Sequence, residues 1–123
     1  MANILLLDDD TNVNVALSAI VKSGGHQVVS LFDGSKLLTH MTDIDLVITD
    51  VIMPNVDGIE VLNAMKKEYP NIPVIVISGG GRVSADMYLK SAKVLGARAI
   101  MQKPIDNDLL LQTIDEVLAE SQA

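Results

Sequence analysis

The chain has 123 residues, of which 49% are hydrophobic but only 2% are aromatic, and its formal net charge is -7. This length suits one domain around one hydrophobic core, which must be built from aliphatic side chains and methionine. The negative charge excludes a general nucleic-acid-binding surface, which needs a basic face, and the lack of cysteine excludes disulfides and thiol catalysis.

The first residues predict no targeting segment. Met1, Ala2 and Asn3 supply no basic region, and the apolar run from Ile4 to Leu7 is too short for a signal peptide or a membrane span. We therefore expect a cytoplasmic protein that does not enter a membrane.

The chain alternates short apolar runs, typical of buried strands, with segments in which apolar residues recur at helical spacing. In chain order, the first half predicts a strand at Ile4 to Leu7, a helix with a stripe at Val13, Leu17, Ile20 and Val21, a strand at Val28 to Leu31, a helix with Leu37, Leu38 and Met41, and a strand at Leu46 to Ile48. The second half predicts a helix with Ile59, Leu62, Met65 and Tyr69, a strand at Val74 to Ile77, a helix with Ala85, Leu89 and Ala92, a strand at Ala99 to Met101, and a helix with Leu110, Ile114, Val117 and Leu118.

Five strands that alternate with five helices predict an α/β fold, a doubly wound parallel sheet with helices on both faces. No linker, repeat or low-complexity segment interrupts this alternation. We therefore expect a single domain over residues 1–123, with no output domain in the chain.

Acidic residues follow the first and third predicted strands. Asp8, Asp9 and Asp10 come directly after Leu7, and Asp50 follows the third strand. Ligands of open parallel sheets bind at the carboxyl ends of the strands, so these carboxylates should meet if the two strands are neighbours. Their mutual repulsion is most simply relieved by a hard cation, and Mg²⁺ accepts carboxylates together with water and phosphoryl oxygens.

Simpler roles exist for each acid. The triplet after the first strand could cap a helix, with Asp10 as the capping residue, and Asp50 could be an ordinary loop acid. The occurrence of acids at two matching strand ends favours a functional site over these simpler roles.

The fourth and fifth predicted strands also end in polar residues. Ser78 follows Ile77, and Lys103 follows the fifth strand after Gln102. A hydroxyl and an ammonium group are the donors that a phosphoryl group on Asp50 would need. Taken singly, they could be an ordinary turn serine and an ordinary surface lysine, but together with the acids they complete a site.

The chain resembles the receiver domains of bacterial two-component response regulators, of the chemotaxis-receiver type, from Ile4 to about Glu120. Four motifs match in order. They are Leu-Leu-Leu-Asp-Asp-Asp at 5–10, Val-Ile-Thr-Asp-Val-Ile-Met-Pro-Asn-Val-Asp-Gly at 47–58, Pro-Val-Ile-Val-Ile-Ser at 73–78, and Gln-Lys-Pro at 102–104.

This resemblance implies a sheet of strand order 2-1-3-4-5 and assigns roles to the polar residues. Asp50 would be the phosphoacceptor, and the direct Mg²⁺ ligands would be Asp9, Asp50 and the backbone carbonyl of Ile52. Asp8 would contact the metal through a water molecule. Lys103 would pair with the phosphoryl group or the bare carboxylate, and the hydroxyl of Ser78 would bond a phosphoryl oxygen.

The resemblance also implies a cis bond between Lys103 and Pro104, and it shows one departure. Receivers usually carry an aromatic switch residue at the position of Ile100, so an aromatic flip cannot be assumed here. We therefore expect the loop at Gly79-Gly80-Gly81 and the following helix, with Lys90 and Lys93, to carry the output signal.

The function that follows is that of a stand-alone receiver, phosphorylated on Asp50 from a phosphohistidine of a sensor histidine kinase or phosphotransfer protein. Its partners would be that kinase and a downstream protein target, with no direct binding of nucleic acid. One alternative is a degenerate receiver fold that only binds proteins. Another is a small aspartate-nucleophile phosphatase, although Asn12 stands where its signature wants Thr or Val.

Overall fold

The computed structural model of the chain describes residues 2–50, 58–78 and 96–122. In chain order its elements are β1 (Asn3–Leu7), α1 (Thr11–Ser23), β2 (Gln27–Leu31), a 3₁₀ helix (Gly34–His40), β3 (Leu46–Asp50), α2 (Gly58–Glu68), β4 (Val74–Ser78), β5 (Ala99–Gln102) and α3 (Asn107–Gln122). All five predicted strands are confirmed. The helix predicted around Leu89 lies outside the described residues.

The limits of α1 follow from the residues at its two ends. Asp10 is its N-cap, and its carboxylate accepts a hydrogen bond of 3.1 Å from the backbone N–H of Val13. At the other end, the N–H of Gly24 donates to the carbonyl of Val21. Gly25 then takes a φ of 91°, which glycine adopts without a steric penalty.

The second predicted helix differs in type from the other described helices. The segment Gly34–His40 forms a 3₁₀ helix of seven residues rather than an α-helix. A short connection between two strands favours this tighter form, because an α-helical nucleus is costly for so few residues. Leu37 and Met41 are nevertheless buried, as their spacing predicted.

The sheet contains five parallel strands in the order β2-β1-β3-β4-β5, so the strand order implied by the resemblance is confirmed. The chain first winds from β1 to β2 and then crosses back to β3 on the other side of β1. The carboxyl ends of β1 and β3 therefore form the point where the winding direction reverses, which is where ligands bind in folds of this type.

Alternate residues of the strands face two hydrophobic layers. One layer packs strand residues such as Leu5, Val47 and Val76 against α2 and the 3₁₀ helix. The other packs residues such as Leu6 and Ile48 against α1 and α3. The sheet is thus covered on both faces, and its polar residues are left at the strand ends. Within the residues described here, no helix has the length and apolar character that crossing a membrane requires.

Candidate functional site

The strand register brings four of the predicted site residues to one edge of the sheet. Leu7 of β1 pairs with Thr49 of β3, so the next residue on each strand, Asp8 or Asp50, lies at the same edge. Ser78 of β4 pairs with Gln102 of β5, and Lys103 comes next. The carboxyl ends of β1, β3, β4 and β5 therefore each carry at least one predicted site residue.

Asp8 is a fully buried carboxylate, with a relative exposure of 0%. Its Oδ1 atom accepts a 2.9 Å hydrogen bond from the backbone N–H of Asp10, and its Oδ2 atom lies 2.9 Å from Nζ of Lys103. Burial raises the pKa of Asp8, and the hydrogen bonds from Lys103 and Asp10 oppose that rise without cancelling it. The protonated form of Asp8 is therefore favoured more in the folded chain than in the unfolded chain.

Asp50 lies at the end of β3 and is almost as well buried, with a relative exposure of 7%. Its Oδ2 atom lies 3.0 Å from Nζ of Lys103. The hydroxyl of the preceding residue, Thr49, donates to the backbone carbonyl of Asp50 at 3.0 Å. The nucleophile predicted from the sequence is thus held both at its side chain and at its backbone.

Lys103 is the cation that joins the two buried acids. Its ammonium group contacts both carboxylates at 3.0 Å or less, and its side chain is 18% exposed. Burial alone would lower the pKa of Lys103, but the hydrogen bonds to Asp8 and Asp50 outweigh it and raise that pKa. Lys103 therefore remains charged across the physiological range. The Lys103-Pro104 bond is cis, as the resemblance implied.

Three carboxylates of the site could hold a metal ion together. Asp8, Asp9 and Asp50 each offer an oxygen atom, and these atoms lie within 4.8 Å of one another. Three carboxylates opposite one ammonium group leave an excess of negative charge, even with Lys103 in place. Hard oxygen donors with excess negative charge match the preference of Mg²⁺, so the donor set fits this ion.

The structure describes only some of the remaining predicted site residues. Ser78 ends β4 at the site edge, but its side chain is not among those that the structure describes. Ile100 lies in β5, is partly buried and packs against the hydrophobic layer that contains Val76. The predicted metal-ligand and output residues outside the described part of the chain are Ile52, Gly79, Gly80, Lys90 and Lys93.

Sequence reasoning missed one polar residue next to this site. Asn14, on α1, is fully buried and donates from Nδ2 to the backbone carbonyls of Asp8 and Leu31, at 3.0 and 2.9 Å. The signal was present in the sequence: Asn14 and Ser18 occupy helical spacing with Leu17 and Val21, on the face that α1 buries. Polar residues on an apolar face are expected to have specific partners.

Comparison with known proteins agrees with this geometry. Residues 4–115 match the family model of the response regulator receiver domain. The chain is 32% identical to protein PilH of Pseudomonas aeruginosa, over 97% of this chain and 99% of PilH. It is 34% identical to the CAI-1 autoinducer sensor kinase/phosphatase CqsS of Vibrio cholerae over 90% of this chain. That match spans only 16% of CqsS, and the chain spans 27% of several related transcriptional regulatory proteins.

Solved structures show the same fold. A response regulator receiver domain protein of Clostridium thermocellum superposes with a TM-score of 0.90 at 26% identity, over 99% of this chain and 98% of the other. The family model and the Clostridium thermocellum structure both describe receiver domains. The chain therefore belongs to the response regulator receiver domain family, whose members are signalling phosphoacceptors rather than classical enzymes.

Proposed function

We propose that this receiver is phosphorylated on Asp50, with Mg²⁺ held by Asp8, Asp9, Asp50 and the backbone carbonyl of Ile52, and that phosphorylation changes its affinity for a partner protein. The observation that carries the proposal is the Lys103 ammonium group, which bridges the Asp8 and Asp50 carboxylates at 2.9 and 3.0 Å. Receiver domains typically bind Mg²⁺ and interact with histidine kinases or phosphotransfer proteins, which supports the same assignment.

The phosphoryl donor would be a phosphohistidine of a sensor histidine kinase or a phosphotransfer protein. A carboxylate oxygen of Asp50 attacks phosphorus in line, the P–N bond breaks, and the imidazole keeps the electron pair of that bond. The product is an acyl phosphate, which water later hydrolyses. The charge that Mg²⁺ supplies when bound neutralises the phosphoryl oxygens and the surrounding carboxylates.

The chain's own residues have separate tasks in this transfer. Lys103 keeps the Asp50 carboxylate oriented before the reaction and supplies a positive charge for the phosphoryl group afterwards. The hydrogen bond from Thr49 holds the backbone of Asp50 in place. Ser78, at the neighbouring strand end, is proposed to donate its hydroxyl to a phosphoryl oxygen.

We also infer that the output surface includes Gly79, Gly80, Lys90 and Lys93. Its support is the charge pattern of the sequence, in which basic residues concentrate between positions 82 and 103. The identity of Ile100 supports it further, because this partly buried aliphatic side chain, which packs against the core, cannot act as an aromatic switch. The output is then a population shift of this segment.

Labelling with a small phosphoryl donor tests the phosphoacceptor assignment. Acetyl phosphate with Mg²⁺ should modify one residue, and intact-mass measurement should show that Asp50→Asn abolishes the modification. Asp43→Asn is the matched control, because Asp43 is exposed and has a φ of 63°, a conformation that Asn also adopts. Labelling that persists in Asp50→Asn would overturn the assignment. Turnover of many phosphate esters per chain would favour a phosphatase, and no labelling of the wild type would favour a protein-binding module.

A further inference from the structure

The side chain of Asn14 holds together two carbonyl groups beside the acidic site. Its Nδ2 atom donates to the carbonyl of Asp8 at 3.0 Å and to the carbonyl of Leu31 at 2.9 Å. The N–H of Asp8 also donates to the carbonyl of Leu31, at 3.1 Å. One fully buried amide therefore ties the first turn of α1 to the ends of both β1 and β2.

The carbonyl of Asp8 belongs to the peptide unit that joins Asp8 to Asp9. A peptide unit is planar, so a hydrogen bond that fixes its oxygen also fixes the direction in which the chain continues to Asp9. These two residues supply two of the three carboxylates that lie within 4.8 Å of one another. Asn14 thus acts on the relative placement of the two acids without contacting a carboxylate oxygen.

The orientation of the Asn14 amide is determined by its other neighbours. Its Oδ1 atom accepts from the hydroxyl of Ser18 at 3.3 Å, and the hydroxyls of Ser18 and Ser30 lie 2.8 Å apart. Two carbonyl acceptors face one end of the amide and a hydroxyl donor faces the other, so Nδ2 must point toward the carbonyls. A buried, satisfied polar network of this kind holds a single arrangement.

We propose that Asn14 is a positioning residue for Mg²⁺ binding, which it promotes by fixing the Asp8–Asp9 peptide unit. This inference rests on the proposed function, in which those acids hold the ion. Residues that orient metal ligands without touching the metal change metal affinity by about 10- to 100-fold when replaced. We expect Asn14→Leu, which keeps the branched shape but loses both donated hydrogen bonds, to weaken Mg²⁺ binding by about tenfold.

The experiment is a Mg²⁺ titration of the wild-type chain and of its Asn14→Leu and Asn14→Ser variants, under conditions where circular dichroism shows each variant folded. In Asn14→Ser the side chain is smaller and keeps one hydroxyl donor, so the Mg²⁺ affinity of this variant should lie between those of the wild type and Asn14→Leu. Asn14→Ser also provides the test if Asn14→Leu does not fold. Ser30→Ala is the matched control, because it removes a hydrogen bond from the same network but leaves both donations by Asn14 in place. Its Mg²⁺ affinity should match that of the wild type.

Acetyl phosphate labelling as a function of Mg²⁺ concentration gives a second readout. The half-saturating Mg²⁺ concentration should rise in Asn14→Leu by the same factor as the dissociation constant, while the rate at saturating Mg²⁺ recovers, since Asp50 and Lys103 are unchanged. A variant that is less stable but binds Mg²⁺ with wild-type affinity would show that Asn14 is purely structural and would overturn this inference alone. Failure of the wild type to bind Mg²⁺ would overturn the proposed function and this inference together.

Discussion

The ammonium nitrogen of Lys103 lies 3.0 Å from Oδ2 of Asp50, although 53 positions separate the two residues in the chain. The same nitrogen lies 2.9 Å from Oδ2 of Asp8. One cation thus serves two buried carboxylates, each at the end of a different strand. The stability of the folded chain should therefore depend on what neutralises this pair of acids.

Lys103→Met tests that dependence. Removal of one partner from a fully buried ion pair costs about 3–5 kcal/mol, and we expect about 2 kcal/mol here because the lysine side chain is 18% exposed. Added Mg²⁺ should restore more stability to the variant than to the wild type, since the metal then neutralises acids that have lost the ammonium group of Lys103. Urea unfolding with and without Mg²⁺ measures both effects.

The control for Lys103→Met is Lys67→Met, which removes an exposed lysine from the last turn of α2. Its effect should stay within about 0.5 kcal/mol, and its response to Mg²⁺ should equal that of the wild type. Equal losses in the two variants would mean that the bridge to Asp8 and Asp50 contributes nothing specific to stability.

The raised pKa of Asp8 predicts a pH dependence. A carboxyl whose pKa is higher in the folded state stabilises the fold below its unfolded pKa, and this contribution is lost as pH rises through the folded pKa. At neutral pH the ionised Asp8 therefore lowers the free energy of unfolding of the metal-free chain. We expect Asp8→Asn to increase the free energy of unfolding at about pH 7 by about 1 kcal/mol, with a smaller gain at about pH 4.

Urea unfolding of metal-free protein at both pH values checks this expectation, with Asp43→Asn as the exposed control. Lys103 stays charged at both values, because its pKa is raised, so titration of Lys103 itself adds no difference between them. A gain that is the same at the two pH values would contradict the assignment of the effect to ionised Asp8.

Mg²⁺ should stabilise the folded chain through Asp9. Asp9 is exposed, so Asp9→Asn should change the stability of the metal-free protein by less than about 0.5 kcal/mol. A ligand present at 100 times its dissociation constant stabilises the folded state by about 2.7 kcal/mol, and the wild type should gain this amount. Asp9→Asn should gain much less at the same Mg²⁺ concentration. Equal gains in thermal or urea unfolding would place the metal elsewhere.

The sequence predicted much of the candidate site because ligands of a parallel sheet bind at the carboxyl ends of its strands, and polar residues that follow a predicted strand can be read from the sequence. Asp8, Asp50 and Lys103 were assigned to one edge, and the register and hydrogen bonds bring them together there, while their chemical roles stay predictions. Two features depend on tertiary geometry that no local pattern encodes. They are the double contact of Lys103 and the bond from Asn14 on α1 to the carbonyl of Asp8.

The strands and the longer helices of the fold could also be predicted from the sequence. Periodicity of two or of 3.6 residues identifies strands and longer helices, since each buries one face over many residues. The segment Gly34–His40 was harder, because the spacing of Leu37 and Met41 suits an α-helix although the chain forms a 3₁₀ helix. In so short a segment the connection to the neighbouring strands, rather than the periodicity, decides the helix type.

The cap of α1 can be tested separately from the acidic site. Asp10 accepts from the N–H of Val13 but is not one of the three clustered acids Asp8, Asp9 and Asp50. Asp10→Ala should lower the free energy of unfolding by about 1 kcal/mol, whereas Asp10→Asn should retain most of the stability, because Asn is an equally good N-cap. Thermal unfolding of Asp10→Ala and Asp10→Asn measures this difference in stability. Equal losses in the two variants would show that the charge of Asp10, rather than its capping oxygen, matters.

The output segment that follows β4 should respond to a phosphoryl group on Asp50. The proposed phosphorylation of Asp50 would add negative charge at the carboxyl end of β3, next to β4, and the sequence between Gly79 and Lys93 follows β4 directly. A shift between two arrangements of this segment would change partner affinity by about 5- to 150-fold. Backbone NMR with a phosphoryl mimic should then show its largest changes from about Ser78 to Leu95.

Charge reversal distinguishes this output segment from other basic parts of the surface. Lys90→Glu combined with Lys93→Glu should weaken binding of the partner that the phosphorylated protein captures, while Asp50 remains fully labelled by acetyl phosphate. The matched control is Lys66→Glu combined with Lys67→Glu, an equal charge change at two exposed positions of α2. Because both double variants change the net charge equally, long-range electrostatic effects should be similar, and only a local contact separates them. If both weaken binding to the same extent, or if the NMR changes stay within the acidic pocket, the output lies elsewhere.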